Sequence, residues 1–148
     1  GRWGANHVYG TGAVVPALVR AGLPRDHSAL LRAVHWLEEH QNGDGGWGED
    51  LRSYRDPEWI GRGESTASQT AWALLALLAV GHHDAASTRR GVEYLVDSQR
   101  PDGGWDESLF TGTGFPGDFY INYHLYRLVF PLAALGRYER AHRARVGE

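Results

Sequence analysis

Four aromatic residues, Phe119, Tyr123, Tyr126 and Phe130, follow one another at steps of four, three and four near the end of a 148-residue chain. On a helix, at about 100° per residue, they fall within an arc of roughly 60° and form a stripe. The Gly/Pro-rich turn Gly112-Thr113-Gly114-Phe115-Pro116-Gly117-Asp118 precedes them, and Phe115 at its mouth joins the same wall. Such a stripe facing a cavity stabilises a cation by about 0.5–2 kcal/mol per ring. Rings at this spacing also fill ordinary cores, and periodicity alone favours that reading. Asp118 is a good N-cap, so a helix is predicted from there to about Arg137.

Other motifs carry less. Gly112-x-Gly114-x-x-Gly117 matches a dinucleotide fingerprint in form, but no strand or βαβ pattern precedes it. Asn42-Gly43-Asp44-Gly45-Gly46 resembles a calcium loop and lacks the closing Glu. His82-His83-Asp84 reads as a solvated helix start rather than a metal site. His124, near the stripe, reads first as a partly buried, hydrogen-bonded histidine and second as a base that removes a proton from a cation.

Composition sets the frame. Hydrophobic residues make up 42% and charged residues 22%, which describes a globular chain long enough for one substantial core. The net charge of −3 gives no footprint for nucleic acid, and Arg137, Arg140, Arg143 and Arg145 read as a solvated helix end. Without cysteine there is no disulfide or thiol chemistry. The chain has no Met and opens on Gly-Arg-Trp-Gly, so it is read as part of a longer protein without a visible signal segment. The apolar run Ala71 to Val80 is too short to span a bilayer.

Glycines divide the chain into predicted helices. The first covers about Gly12 to Ala21, with Pro16 near its start, and the second His27 to Gln41. A long loop, 42–64, leads to a third helix opened by the capping pair Thr66 and Gln69; it is apolar nearly all round and therefore an inner helix. A fourth runs from after Asp84 to about Gln99, and a short polar helix closes the chain. No strand is predicted, so the fold class is all-α.

The segments repeat. Arg32-Ala33-Val34-His35-Trp36-Leu37, Gln41 and Asp44-Gly45-Gly46-Trp47 recur 58 residues later as Arg90-Gly91-Val92-Glu93-Tyr94-Leu95, Gln99 and Asp102-Gly103-Gly104-Trp105. Gly1-Arg2-Trp3-Gly4 looks like the tail of an earlier copy. Each unit is an outer helix, a Gly-Trp turn and an inner helix, and such hairpins bury their faces by stacking into a solenoid or closed α/α toroid. The Gln amide is expected to satisfy backbone groups at the helix end, with the Trp lying over it.

This Arg, aromatic-Leu, Gln, Gly-x-Trp pattern resembles the QW repeat of triterpene cyclases. With the Gly112–Tyr120 wording and Val129 to Tyr138, the chain is similar to the C-terminal part of bacterial squalene–hopene cyclases from Trp3 to about Tyr138. The resemblance implies that residues 1–148 are the C-terminal part of a catalytic domain built as an (α/α)6 toroid. It implies an acid-initiated carbocation cyclisation of squalene to hopene or hopanol, with no cofactor or metal. The family is a monotopic membrane enzyme at the cytoplasmic face of the bacterial membrane, usually a homodimer.

By the same resemblance Phe115 and Phe119 stabilise cations, and Tyr123 and Tyr126 shape the pocket of early ring closure. Trp3 lines the cavity, and Tyr9 belongs to the network that re-protonates the acid. Gln41, Trp47, Gln99 and Trp105 are structural. Asn122, on the flank of the stripe, bears on the product. The related prenyltransferase toroid binds zinc through Asp, Cys and His, and this chain has no Cys. The family's proton donor, an Asp-x-Asp-Asp motif, does not occur here, so the chain alone is expected to be inactive. Two alternatives stand beside this reading: a cyclase of another linear polyprenoid, and a non-catalytic α/α-repeat scaffold that binds lipid or protein.

Overall fold

The computed structural model describes residues 1–146; the Arg145 side chain, part of the basic cluster, lies outside what is described. Along the chain run α1 (Asn6–Arg20), α2 (Ser28–Glu39), α3 (Ala67–Ala79), α4 (Ala86–Asp97), a hairpin of β1 (Gly112–Phe115) and β2 (Phe119–Ile121), and α5 (Tyr126–Val146). Two short 3-10 turns, Leu51–Tyr54 and Pro57–Trp59, sit in the loop between α2 and α3.

The predicted Thr66 cap starts α3, with its hydroxyl oxygen accepting from the Gln69 N–H at 3.2 Å. Every residue of α3 from Ala67 to Leu78 is buried. Each fully buried leucine, Leu74 and Leu77 among them, stabilises the fold by about 1.5–3 kcal/mol relative to exposure. A helix apolar on all sides needs cover on all sides: α1 and α5 flank α3, α4 packs across it, and α2 bridges α1 and α3. Inner helices (α1, α3, α5) thus alternate with outer ones (α2, α4), which is the predicted α/α hairpin repeat in an all-α chain.

Three elements differ from the sequence reading. First, α1 begins at Asn6 rather than Gly12, so Pro16 lies inside the helix and removes the bond to the Gly12 carbonyl. Gly12 is there for close approach, since a Cβ would stand 2.6 Å from the Trp72 carbonyl oxygen of α3. Second, Asp118 is no helix cap. Its N–H donates to the Phe115 carbonyl (3.0 Å) across a turn with Pro116 second and Gly117, at φ +86°, third, so the segment closes a hairpin. Third, α5 starts at Tyr126 and passes through Gly136 to Val146 as one helix, with no separate closing helix among the described residues.

The repeat is visible bond by bond. The Trp47 indole N–H donates to the Leu37 carbonyl (2.7 Å) and that of Trp105 to Leu95 (2.8 Å). The Gln41 amide donates to Gly45 (2.7 Å) and the Gln99 amide to Gly103 (2.9 Å). So the indole serves the end of the outer helix, and the Gln serves the turn. Gln41 also reaches the Ser87 carbonyl of α4 (2.8 Å) and accepts from Arg90, joining one unit to the next.

A further repeated residue is Glu49 or Glu107, two positions after each Trp. Each is buried at the N-terminus of an inner helix, where backbone N–H groups lack intrahelical partners. Glu49 accepts from the Val8 N–H of α1 (2.7 Å), which has no cap of its own. Glu107 accepts from the Ser68 N–H (2.8 Å) and from the hydroxyls of Ser68 (2.8 Å) and Thr111 (3.0 Å).

Two outcomes follow for the complete protein. Glu107→Ala strands the Ser68 N–H and a hydroxyl in a dry site, and should cost about 2–4 kcal/mol, read as a lowered unfolding temperature; an unchanged temperature would rule out the capping role. Burial, helped by the charges of Asp44 and Glu107, pushes the Tyr94 hydroxyl up to about 12. The unfolded tyrosine loses its proton first, from about pH 10. Tyr94 therefore contributes stability that is complete below pH 10 and lost as pH rises toward 12. Tyr94→Phe should flatten that part of the stability–pH curve, and an equally steep curve in the variant would refute it.

Candidate functional site

Trp72, in the middle of α3 and 2% exposed, is the hub of an aromatic cluster. Tyr9 of α1 meets it edge-on at 4.9 Å between ring centroids, Phe130 of α5 at 5.5 Å and Tyr126 at 5.8 Å. Tyr126 in turn packs against Phe130 (5.2 Å) and against Tyr123 (4.7 Å), which lies in the turn before α5. Three inner helices each supply part of the cluster, so the packing of α3 sets the spacing of the rings.

The remaining rings are held on extended backbone. The segment around Trp3 pairs with the hairpin: Gly4 bridges Gly112, the Ala5 N–H donates to Thr111 (2.9 Å), and the Thr113 N–H donates to the Trp3 carbonyl (3.3 Å). The Tyr126 hydroxyl donates to that carbonyl as well (3.3 Å). Within the hairpin Thr113 faces Tyr120 and Phe115 faces Phe119, with an irregularity between them. Phe115 and Phe119 therefore project as a cross-strand pair, edge to face at 5.6 Å.

Glycine is the seat of three of these rings. A side-chain carbon at Gly4 would collide with the Tyr9 ring, one at Gly112 with Tyr123 and one at Gly114 with Phe119. The Gly-Arg-Trp-Gly and Gly-Thr-Gly-Phe wording thus has a steric cause, because each ring packs where a side chain on the backbone would otherwise stand.

The structure brings Tyr9, Tyr123 and Tyr126 together around Trp72, and ties in Trp3 through its carbonyl. The single helical stripe is corrected. Phe119 is on β2, Tyr123 precedes α5, and Tyr126 and Phe130 alone of the four are helical. Phe115 and Phe119 form a separate, exposed pair (55% and 48%), and the Trp3 ring is exposed too, with the Arg2 guanidinium 5.7 Å from its centroid. Nothing in the spacing foresaw Trp72, which was hidden in an apolar run. Tyr54 was also missed: it stacks on Tyr120 at 6.0 Å, and its hydroxyl bridges the Gly1 and Gly4 carbonyls (2.8 and 2.9 Å).

The chemistry of the cluster is that of neutral π faces. Burial raises the hydroxyls of Tyr54 and Tyr126 above the usual tyrosine range, so both remain protonated donors bound to carbonyls. His124 is exposed rather than partly buried, and its Nδ1 lies 3.4 Å from the Arg127 guanidinium. The Asn122 amide donates to the Glu107 carbonyl at 3.1 Å. Asp44 accepts from the Gly46 N–H (3.0 Å) and the Ser65 hydroxyl (2.8 Å), so the loop that resembled a calcium site is an ordinary turn. Among the described residues no three His, Asp or Glu side chains converge to hold a metal. A cleft of about 700 Å³ lies between the two Gly-Trp turns, lined by Asn42, Asp44, Glu64, Asp106 and Glu107. Its oxygen-rich wall is the wrong lining for a carbocation and lies apart from the rings.

The family model for the squalene–hopene cyclase C-terminal domain matches residues 1–140. The chain is 60% identical over 141 residues to the squalene–hopene cyclase of Alicyclobacillus acidocaldarius, covering 95% of this chain and 22% of that protein. It is 53% identical over 139 residues to the squalene–hopene cyclase of Bradyrhizobium diazoefficiens (93% and 21%), and 45% identical over 152 residues to dammaradiene synthase of Dryopteris crassirhizoma (93% and 22%). The chain thus spans about a fifth of the length of the curated relatives it matches. From the QW turns to the seated rings, the chain belongs to the squalene–hopene cyclase family, in its C-terminal domain.

Proposed function

We propose that this chain is the C-terminal part of the catalytic α/α-barrel domain of a triterpene cyclase, and that it supplies aromatic wall to the cavity in which squalene is cyclised to hopene or hopanol. The observation that carries the proposal is the 60% identity to a squalene–hopene cyclase along 95% of the chain. The geometry supports it, since a carbocation has to be met by groups that stabilise charge without forming a bond. Ring faces do this, and apolar surroundings exclude the water that would capture the cation.

In this reading a proton adds to the terminal alkene of the substrate, delivered by an Asp-x-Asp-Asp motif that this chain does not contain. Each ring closure then uses the electron pair of the next alkene and moves the cation onward, until loss of a proton or capture of water ends the cascade. Phe115 and Phe119 face the cation, Tyr123 and Tyr126 shape the early-ring pocket, Trp3 lines it, and Tyr9 serves the acid's hydrogen-bond network. Attachment of the complete protein to the cytoplasmic face of the membrane and a homodimeric state belong to the same proposal. No helix among the described residues is long and apolar enough to cross a membrane.

A second reading, a cyclase that directs a polyprene to another skeleton, is favoured by the 45% identity to a protein named dammaradiene synthase.

The test is to incubate the complete enzyme with squalene and resolve its products. Hopene and hopanol support the first reading and another skeleton the second. No consumption of squalene points to a cyclase of another linear polyprenoid if a different polyprene is cyclised, and to the non-catalytic scaffold if none is. Phe119→Ala removes one cation-facing ring and should slow the step it serves by about 2- to 30-fold, releasing prematurely terminated products. Gly114→Ala should release the same products with every ring present, because the new methyl displaces the Phe119 ring from its seat. Normal products at the normal rate from Phe119→Ala would show that the ring meets no cation.

A further inference from the structure

The segment between Asp50 and Arg62 is a closed loop that packs on itself. Its ends meet through the Asp50 N–H and the Arg62 carbonyl at 2.7 Å. Inside it the Arg52 guanidinium lies 3.2 Å from the centroid of the Trp59 ring and pairs with Asp50 (2.8 Å). Asp50 and Asp56 cap the two 3-10 turns by accepting from the N–H groups of Arg52 (2.8 Å) and Glu58 (3.0 Å). A loop with close ends and its own side-chain packing acts as a stiff body.

From this body two adjacent side chains reach the aromatic hairpin. The Arg55 guanidinium donates to the carbonyl of Gly117, at the tip of the turn, at 2.5 Å. Tyr54 stacks on Tyr120 of β2, while its hydroxyl holds the Gly1 and Gly4 carbonyls on either side of Trp3. The loop thus grips both the hairpin and the segment to which the hairpin pairs.

The hairpin has reason to depend on such a grip. Strands of four and three residues are marginal by themselves. At the root the backbone bonds to Ala5 and Trp3 hold it, but Phe115 and Phe119 lie toward the tip and are half exposed, so no core packing fixes their rings. Where those rings stand follows from where the backbone of the tip stands. Displacements of about 1 Å at a reacting centre cost up to roughly a hundredfold in rate.

We infer that the 50–62 loop is a strap that sets the position of the Phe115–Phe119 pair, with Arg55 and Tyr54 as positioning residues that decide how far the cyclisation cascade runs. The inference rests on the proposed cation-facing role of that pair.

The experiment uses the complete enzyme with squalene and reads two quantities: the ratio of prematurely terminated to fully cyclised product, and the unfolding temperature. Arg55 is exposed, so Arg55→Ala should leave the unfolding temperature unchanged while the terminated share rises about two- to tenfold, the range a single hydrogen bond commands. Arg55→Lys, which keeps a cationic donor, should recover part of the difference. Tyr54→Phe keeps the stack and loses the hydroxyl, and should add to the effect of Arg55→Ala in the double variant. A purely structural role would lower stability or overall rate and leave the product ratio as it was.

A parental product ratio in both Arg55→Ala and the double variant overturns the strap. Phe115→Ala and Phe119→Ala, run alongside, separate the two ideas. Terminated products from these with a parental ratio in Arg55→Ala defeat the strap alone, and parental products from all of them defeat the cation-facing role on which it rests.

Discussion

Covering α3 is the constraint from which the rest of the structure follows. Its faces are apolar in every direction, so no orientation lets it lie at a surface, and other helices have to enclose it. The backbone ends of inner helices then become the difficult groups, because N–H groups that water would satisfy are now dry. Glu49 and Glu107 resolve this from a distance in sequence, each reaching from a Gly-Trp turn to the start of an inner helix. The turn is thereby part of the cap, which explains why helix, turn and helix recur as one unit.

Burying α3 also places Trp72 where rings from α1 and α5 must meet it. The wall is therefore an outcome of core packing at its base and of backbone pairing at its rim. Tyr9, Tyr126 and Phe130 are held by neighbours on several sides. Phe115 and Phe119 are held by little except the hairpin that carries them. This contrast accords with the proposed role, because rings wrapped in other side chains would have no π face to offer a moving charge.

Much of the architecture could be read from the residues. The 58-residue recurrence of Gln, Gly and Trp gave the α/α unit, and the Thr66–Gln69 pair with its apolar run gave the inner helix. The same recurrence holds Glu49 and Glu107 in plain view, yet a carboxyl group two residues after a Trp looks solvated until the fold closes on it. The hairpin was misread for a physical reason: Phe119, Tyr123, Tyr126 and Phe130 match helical periodicity, while Pro116-Gly117 between two aromatic residues is equally a turn signal. The fold decides between them: the Asp118 N–H closes the turn onto Phe115 and the Asn122 amide is drawn to the Glu107 carbonyl, so the residue that could have capped a helix closes a hairpin instead. Trp72 and Tyr54 were beyond reach, because their importance lies in contacts made across dozens of residues.

The irregularity between Thr113 and Phe115 reaches further than one hairpin. Side chains on a strand alternate between faces, so an added or lost residue there would turn one phenylalanine away from the other. The tip is also tied at Gly117 and the root at Thr111, which leaves no slack to absorb the change. An insertion or deletion in this segment would therefore part the ring pair, whereas exchanging one side chain for another would keep the residue count that aligns it. The loop joining α3 to α4, which carries none of the seated rings, is free of that restriction. On the proposed role, the contour of the wall is thus more easily altered by a change of side chain than by a change in the length of the hairpin that frames it.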